Sequence, residues 1–237
     1  MKRFAERDRQ PELMDQPDLD EQAHTRALAG LGTTNRVCGI ARTVWHSIRR
    51  ALAGRDSRQP IRILDIASGG GDILRRIALL AARDRIAIEP HGCDISETSI
   101  EFAQDSAQRA GVHGARFFRL DALKEPLPAG YDVVMSTLFL HHLETSQAQD
   151  LLARMAQAAR RLVLIDDLRR TSLGYLYAWF GGRLLTQSPI VHVDGPLSVR
   201  SAFSVAEVSQ LATAAGLTGA TIRTHWPQRF QLIWNKT

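Results

Sequence analysis

An apolar run that leads into acids and glycines contains the residues best suited to chemistry. Ile61–Leu64 precede Asp65–Asp72, in which three consecutive glycines stand between two aspartates, and Ile73–Leu80 follow. This order predicts a strand, a glycine turn and a helix, the arrangement that opens nucleotide-type sites in Rossmann-like sheets. Glycines let a ligand approach the backbone, and the free N–H groups of the first helical turn face it.

The residues of this turn argue against a phosphate ligand. The dinucleotide fingerprint requires a third glycine where Leu74 stands, and Asp72 at the helix start would repel a pyrophosphate. The Walker A loop requires Gly-Lys-Ser/Thr, and this turn has no lysine. S-adenosylmethionine, which has a cationic tail and no phosphate, fits better, with Asp65 placed to meet its ammonium. The alternative for Asp72 is an ordinary acid at a helix start.

Two later apolar runs also end in acids. Ile86–Ile88 lead towards Asp94, and Arg116–Leu120 lead to Asp121. An acid at the end of the second strand can accept both ribose hydroxyls, and Asp121 suits the exocyclic amine of an adenine. Either acid alone is also explained as a solvated strand end. Three acids at successive strand ends favour a binding site.

The chain here resembles the class I S-adenosylmethionine-dependent methyltransferases. Asp65–Gly71 resemble the first motif of that family, and Tyr131–Leu143 resemble its fourth motif in the version with a His-His-Leu ending. The resemblance runs from about Ile61 to the C-terminus, and it departs at Ala67, where the family usually has glycine. The cofactor-binding residues that follow from the motifs are Asp65, Ala67, Ser68, Gly69, Gly71, Asp94, Ile95, Asp121, Ala122 and Ser136.

The alternation of apolar runs and helical patterns predicts an α/β fold. We expect a Rossmann-like, seven-stranded, mostly parallel sheet with helices on both faces and an N-terminal helical cap. Strands are predicted near residues 61–67, 86–94, 116–121, 131–138 and 161–166, and helices near 71–83, 96–110, 145–159 and 204–215. Two final runs, 220–226 and 230–234, form an antiparallel edge pair in the family that the chain resembles.

The domain prediction divides the chain at the polar link before the first strand. Residues 1–58 form a lead and a helical cap, and residues 59–237 form the core, with an insertion at 169–203 that contributes to the acceptor pocket. Helical spacing from about Glu21 to Leu52 is expected to break near Gly30–Gly32. Within the insertion we expect a helix at Leu173–Phe180 and a loop at 188–200.

Histidine is the natural candidate for catalysis near neutral pH. His141 and His142 follow the fourth strand, where one of them serves as base or hydrogen-bond partner to the acceptor. The alternative is that one caps the next helix and the other packs over the cofactor. His192 with Asp194 forms a second possible pair, or else a simple turn. Asp166–Asp167, at the end of the fifth strand, contact substrate or hold Arg169 in a structural ion pair.

Aromatic residues in the insertion indicate the acceptor class. Tyr175–Phe180 and Trp45 either line an aromatic acceptor pocket or belong to the core. The pattern resembles methyltransferases that act on quinones and phenolic polyketides. A small aromatic or quinone-like acceptor is therefore implied, with O-methylation favoured over C-methylation.

Composition limits the partners and the location. The net charge of +5 comes mostly from scattered arginine pairs without interleaved aromatics, so no nucleic-acid partner is expected. No apolar run is long enough to span a membrane, and the charged N-terminus lacks a secretory signal. Cys38 and Cys93 have no metal-ligand spacing, so we expect reduced thiols, no metal and a cytoplasmic protein.

Three other functions remain as alternatives. A nucleic-acid methyltransferase that modifies amino groups would carry Asn/Asp-Pro-Pro-aromatic where Ser136–Phe139 stand. A non-catalytic protein of the same fold would bind the cofactor without turnover. An NAD-dependent oxidoreductase is disfavoured by Asp72 and Leu74. The sequence leaves the acceptor, the base among the histidines and the oligomeric state open.

Overall fold

Seven strands and eight helices make up the regular structure of the described residues. The computed structural model describes residues 4–16, 18–54 and 59–236. The strands are β1 (Ile61–Ile66), β2 (Ile88–Asp94), β3 (Arg116–Arg119), β4 (Tyr131–Thr137), β5 (Ala159–Leu168), β6 (Thr221–His225) and β7 (Arg229–Asn235). The helices are α1 (Glu21–Val37), α2 (Ile40–Ala51), α3 (Asp72–Arg83), α4 (Glu97–Arg109), α5 (Thr145–Ala158), α6 (Ser172–Leu185), α7 (Pro189–Ser201) and α8 (Val205–Ala214). Two short 3₁₀ turns, Leu13–Asp15 and Leu140–His142, complete this list.

All seven strands belong to one sheet, which confirms the predicted architecture. Its order is β3-β2-β1-β4-β5-β7-β6. Strands β1 to β5 run parallel, and β7 is antiparallel to both β5 and β6. The order reverses between β1 and β4, and open parallel sheets bind ligands outside the carboxyl ends of their strands at such a reversal.

The register brings those carboxyl ends together. Ile66 at the end of β1 lies beside Cys93 of β2 on one side and Ser136 of β4 on the other. Thr137 of β4 lies beside Asp166 of β5. The side chains that follow β1, β2, β4 and β5 therefore meet at one edge of the sheet.

Buried apolar clusters cover both faces of the sheet, as a doubly wound fold requires. On one face α5 and α8 pack against the strands, with Leu151, Phe203 and Phe230 fully buried. On the other face α2 and α3 pack, with Ile48 and Leu74 fully buried. Both cysteines are free thiols, Cys93 buried and Cys38 half-buried, as expected.

The N-terminal helices separate at a different place from the one predicted. Helix α1 continues through Gly30–Gly32 and ends at Val37, and Gly39, with φ +69°, starts α2. Gly30 serves close packing instead of a break, because a Cβ there would lie 2.4 Å from the Thr186 hydroxyl. Of the two N-terminal helices, α1 packs against α6 and α7, whereas α2 packs mainly on α3.

The predicted loop at 188–200 is wrong, since these residues form α7. Proline at the first position suits a helix start because its missing N–H is unpaired there anyway. Ile190, Asp194 and Ser198 then repeat at helical spacing and are buried. Their tertiary burial outweighs the turn tendency of the Asp-Gly-Pro run. In the described part of the chain, we find no helix with the length and apolar character needed to cross a membrane.

Candidate active site

A large cavity opens at the carboxyl edge of the sheet. Its volume is ≈ 1440 Å³, and the N-terminal residues, α1, α6 and α7 form its other walls. One side, which we call the glycine end, consists of Ala67–Gly70, Asp94 and Asp121. The opposite part, which we call the histidine end, consists of Glu12, Asp15, His141 and His142.

The glycine turn is held in an unusual backbone conformation by Asp94. Ala67, Gly69 and Gly71 have φ of +53°, +50° and +66°, a region that glycine adopts without strain. Asp94 accepts hydrogen bonds from the N–H groups of Gly69, at 2.8 Å, and Ser96, at 3.0 Å. Burial raises the pKa of Asp94, and these hydrogen bonds oppose that effect. Its carboxylate therefore joins the turn to the end of β2.

Three predicted cofactor residues are absent from the cavity lining, namely Asp65, which is described below, Gly71 and Ser136. Gly71 is packed so closely that a Cβ would lie 2.7 Å from the Phe117 ring. The hydroxyl of Ser136 donates a 2.9 Å hydrogen bond to the carbonyl of Ile66 and is almost fully buried. Both residues hold the wall in place, and neither is part of the cavity lining.

Asp65 is a buried carboxylate beneath the glycine turn. Its residue is 1% exposed, and within the described structure its Oδ1 atom has no hydrogen-bond partner. Burial, with the nearby charges of Asp72 and Asp94, raises the pKa of Asp65 well above its usual value. Asp72 lines the cavity and accepts a 3.3 Å hydrogen bond from the side-chain amide of Asn35. A positively charged group of a ligand would be favoured beside these closely spaced carboxyl groups.

The remaining predicted residues of the glycine end line the cavity. Asp121 accepts a hydrogen bond from the N–H of Leu123 at 3.0 Å and pairs with Lys124 at 3.1 Å. Ile95 is 58% exposed on the cavity wall, an unusual position for a large apolar side chain. Ala122 lies beside Asp121 in the same wall.

Each histidine at the other end is oriented by its own carboxylate. Nδ1 of His141 lies 2.6 Å from Oδ1 of Asp167, and the backbone N–H of His141 donates to the other oxygen at 3.2 Å. Nδ1 of His142 lies 2.9 Å from Asp15. The two rings pack together with centroids 4.4 Å apart. This pairing fixes the orientation of both rings.

Glu12 faces the opposite nitrogens of these rings. Its carboxylate lies 3.7 Å from Nε2 of His141 and 3.9 Å from Nε2 of His142. The hydroxyl of Ser198 donates to Glu12 at 2.7 Å. Burial disfavours a charged His142 ring, but its hydrogen bond to Asp15 and the charges of Glu12 and Asp15 outweigh burial and raise the pKa of His142 to about 9.

The N-terminal residues that supply Glu12 and Asp15 are fastened to the core by long-range contacts. The N–H groups of Leu13 and Met14 donate to Asp194 at 2.8 and 3.0 Å. Burial raises the pKa of Asp194 to about 6. The predicted extended lead thus completes the histidine end. The sequence analysis did not identify these acids, because their partners lie more than a hundred positions away.

Arg7 adds a second attachment for the same residues. Its guanidinium donates to the carbonyls of His141 and Leu143, at 3.0 and 2.9 Å, and stacks over the Phe203 ring at 3.7 Å. These carbonyls belong to the 3₁₀ turn that positions both histidines. The N-terminal residues therefore contact this turn from the outside as well as from within the cavity.

The two adjacent acids of β5 have different partners. Asp167 holds His141, as described above, whereas Asp166 accepts from Arg229 at 2.6 Å, Gln231 at 2.9 Å and His225 at 2.9 Å. The alternative of a structural ion pair therefore holds for Asp166, but its partner is Arg229 and not Arg169. Because successive residues of a strand point to opposite sides, one acid serves the edge strands and the other the cavity.

His192 and Trp45 do not join the site. The His192 ring lies 2.7 Å from the carbonyl of Thr186, and this residue is absent from the cavity wall. Trp45 is 3% exposed and donates to Asp84 at 2.8 Å in the core. Tyr177 and Phe180 of α6 do line the cavity. Phe139, which follows β4, and Trp226, which lies between β6 and β7, also line it, so the insertion supplies only part of the aromatic wall.

Comparison with known proteins identifies the fold and the domain. A family model described as a methyltransferase domain matches residues 63–161. Those residues are similar to a methyltransferase domain, and they make up less than half of the chain. They contain the glycine turn, Asp94, Asp121 and both histidines of the cavity, so the predicted resemblance to class I methyltransferases is confirmed.

The chain is similar to a curated protein and to proteins of known structure. Demethylmenaquinone methyltransferase of Thermus thermophilus is 31% identical over 120 residues, which are 50% of this chain and 52% of that protein. The chain thus spans about half the length of this relative.

Two solved structures share the fold. One is the magnesium protoporphyrin IX methyltransferase of Synechocystis with bound SAH, with a TM-score of 0.58 and 20% identity over 86% of each chain. The other is a family 2 O-methyltransferase of Planctomyces limnophilus in complex with apigenin. Its TM-score is 0.64 at 15% identity, over 93% of this chain and 63% of that one.

Proposed function

We propose that the chain transfers a methyl group from S-adenosylmethionine to an oxygen of a small aromatic or quinone-like acceptor. The observation that carries the proposal is that one cavity of ≈ 1440 Å³ joins the glycine end to the histidine end. A nucleoside ligand and a small acceptor can therefore lie side by side, which methyl transfer requires because donor and acceptor atoms must be aligned.

The glycine end fits this cofactor on its own chemistry. Asp65 has an oxygen without a hydrogen-bond partner in the described structure, which an ammonium can satisfy directly or through water. Asp72 lines the cavity beside the turn and opposes any phosphate. A Cβ at Gly69 would meet only a Leu28 methyl at 3.9 Å, so the turn leaves open space beside its backbone.

The cofactor roles follow from these positions. Asp94 would hold the ribose hydroxyls, Asp121 the adenine amine, and Asp65 the ammonium. Ala67, Ser68, Ile95 and Ala122 would surround the adenosine, while Gly71 and Ser136 keep the wall in position. When bound, the cofactor supplies an electrophilic methyl group on its sulfonium. The protein's part is to align the acceptor, exclude water and stabilise charge on the acceptor oxygen.

The histidine end is the place proposed for that oxygen. With Nδ1 held by Asp167, His141 presents Nε2 on the side of Glu12, where it can accept a proton. The raised pKa of His142, about 9, makes it a hydrogen-bond donor at neutral pH instead of a base. His192 lies outside the cavity lining and has no role in this proposal. A buried cluster of this kind suits an ionisable hydroxyl, which supports O-methylation over C-methylation.

The walls between the two ends support an aromatic acceptor. Tyr177, Phe180 and Leu184 of α6 provide apolar surface along the cavity. The curated relative is a demethylmenaquinone methyltransferase, and one structural neighbour was solved with apigenin. Together these observations support a planar, phenol-like or quinone-like acceptor. A cytoplasmic location and the absence of a nucleic-acid partner remain predictions.

Calorimetric titration with S-adenosylhomocysteine and with NADH tests the cofactor. We expect binding of the first and none of the second, since Asp72 opposes a pyrophosphate. Binding of NADH instead would contradict the proposal.

A panel of phenols and hydroquinones with methyl-labelled cofactor tests the reaction. Mass spectrometry and NMR would locate the transferred methyl group on oxygen. His141→Gln should abolish transfer while S-adenosylhomocysteine still binds, and His113→Gln, an exposed histidine outside the cavity, is the matched control. Cofactor binding without transfer to any phenol, hydroquinone or oligonucleotide would favour the non-catalytic alternative.

A further inference from the structure

The geometry points to a divalent transition-metal site formed by Glu12, His141 and His142 at the acceptor side of the cavity. This inference rests on the proposed function and deepens it, because it states how the histidine end stabilises an acceptor oxygen. The spacing of the two cysteines alone predicts no metal, whereas this site uses histidines and a carboxylate.

The three side chains converge as ligands of one ion would. One oxygen or nitrogen of each lies within 4.8 Å of the others. Oε1 of Glu12 is 3.7 Å from Nε2 of His141, and Oε2 of Glu12 is 3.9 Å from Nε2 of His142. Those separations are too long for hydrogen bonds. They are near the separation of about 3.4 Å between two ligands of a tetrahedral ion with bonds of about 2.1 Å.

The surrounding groups match the supporting shell of a metal site. A metal-bound histidine usually donates a hydrogen bond from its second ring nitrogen to a carboxylate. This bond fixes the orientation of the ring and raises the basicity of the nitrogen that binds the metal. Here Nδ1 of His141 is hydrogen-bonded to Asp167, and Nδ1 of His142 is hydrogen-bonded to Asp15. The Nε2 atoms of both rings therefore face Glu12. Ser198 donates to Glu12 and holds the third ligand.

The charge of the cluster also calls for a cation. Glu12, Asp15 and Asp167 place three carboxylates around two imidazoles, and Glu12 and Asp167 are nearly inaccessible to solvent. Burying carboxylates without compensation is costly. A divalent cation between the two Nε2 atoms and Glu12 would compensate the charge of these carboxylates.

Two histidines and one carboxylate leave a position open for a further ligand, and all three residues line the cavity. Nitrogen and carboxylate donors together favour Zn²⁺ over Mg²⁺, and methyl transfer requires no redox change. The ligand we infer is the oxygen of a phenol or enol. Its coordination would release the hydroxyl proton to water, because Nε2 of His141 would bind the ion and would no longer serve as the base. The oxygen then forms its bond to the methyl carbon as the sulfur–carbon bond breaks, and that electron pair returns to sulfur.

Metal binding by the full chain provides a direct test. After dialysis against a chelator, the protein would be titrated with Zn²⁺ in competition with a chromophoric chelator, and with Co²⁺ while its visible absorption is recorded. We expect one Zn²⁺ per chain and a Co²⁺ spectrum of four- or five-coordinate type. Mg²⁺ should compete only weakly.

The Zn²⁺ affinity of substituted proteins tests whether the ion binds at this site. Glu12→Gln and His142→Gln should each lower Zn²⁺ affinity at least 100-fold, and Asp15→Asn, one step further out, about 10-fold. Glu97→Gln, an exposed acid on the same cavity, is the matched control and should retain full affinity. Equal affinity in Glu12→Gln and the parent protein, or no stoichiometric Zn²⁺, would overturn the proposal.

Binding of S-adenosylhomocysteine, measured on the same samples, separates this proposal from the proposed function. Loss of metal binding with intact cofactor binding and transfer would leave the enzyme proposal standing, with His141 as a direct base. Failure of cofactor binding in the parent protein would overturn the proposed function regardless of the metal result. Variants that still bind the cofactor are folded, so a loss of Zn²⁺ in them reports the site itself.

Discussion

The glycine end and the histidine end of the cavity are built in different ways. Residues of the glycine end lie at or just after the ends of β1, β2 and β3, three strands that succeed one another along the chain, and they lie within 54 positions of each other. The histidine end brings Glu12 and Asp15 against His141 and His142, contacts that span more than 120 positions, and Asp167 then holds His141 from 26 positions away. The glycine end repeats one local pattern, in which polar residues or glycines lie at the end of a strand. The histidine end forms where segments far apart in the chain meet.

This difference indicates which parts of the chain determine the ligand at each end of the cavity. The glycine end depends on backbone turns and the sheet register, so its ligand is set by the fold itself. The histidine end depends on how the N-terminal residues, β4, β5 and α7 meet, so a change in any of them alters the acceptor site. Four substitutions test this contrast, and they follow in order of decreasing expected effect.

Asp166→Ala should produce the largest loss of stability. It would leave Arg229 buried without its carboxylate, and breaking such a pair costs about 3–5 kcal/mol. Urea unfolding would measure the effect. Asp167→Asn is the paired control, because it alters the adjacent acid that serves the histidine end. If both variants lost equal stability, the division between a structural and a site-forming acid would be wrong.

Gly71→Ala should rank next and should damage the glycine end through packing. The left-handed backbone costs about 1–2 kcal/mol with a side chain, and a Cβ 2.7 Å from Phe117 adds overpacking of about 1–3 kcal/mol. Thermal unfolding would detect both contributions. Gly69→Ala, with a similar φ but open space around its Cβ, should show only the backbone cost. Equal losses in the two variants would contradict the packing argument.

Asp94→Ala should weaken S-adenosylhomocysteine binding by about 1–3 kcal/mol, because charge-assisted hydrogen bonds to the ligand and to Gly69 are lost. Calorimetry would show this as a rise in Kd of about 5- to 150-fold. Asp105→Ala removes a surface acid of α4 outside the cavity and serves as control. An unchanged Kd in Asp94→Ala would remove this residue from the cofactor site.

Asp194→Ala should have the smallest effect, confined to the histidine end. It removes the acceptor for the N–H groups of Leu13 and Met14, a loss of about 1–2 kcal/mol in the attachment of these residues. Hydrogen exchange should accelerate at both amides, and methyl transfer should fall while the Kd for S-adenosylhomocysteine stays constant. A matching loss of cofactor affinity would show that the two ends are not independent.

The sequence by itself determined the sheet and the glycine end. Apolar runs of strand length, glycines at a turn and acids at strand ends are signals carried by neighbouring residues, so β1 to β5, Asp94 and Asp121 were predictable. The location of His141 and His142 after β4 was equally readable. Even so, the sequence could not show that Gly71 and Ser136 pack behind the wall, since the same residue types serve a ligand or a neighbour equally well.

Only the tertiary structure decided the histidine end. The role of Glu12 depends on Ser198 and both histidines, and the helical state of α7 depends on its buried face, which outweighs the turn tendency of Asp194–Pro196. Such contacts carry no signal in the spacing of nearby residues, because their energy comes from burial between segments far apart in the chain. The fold of the whole chain brings these segments together, and only there do the carboxylates and the histidine nitrogens form one site.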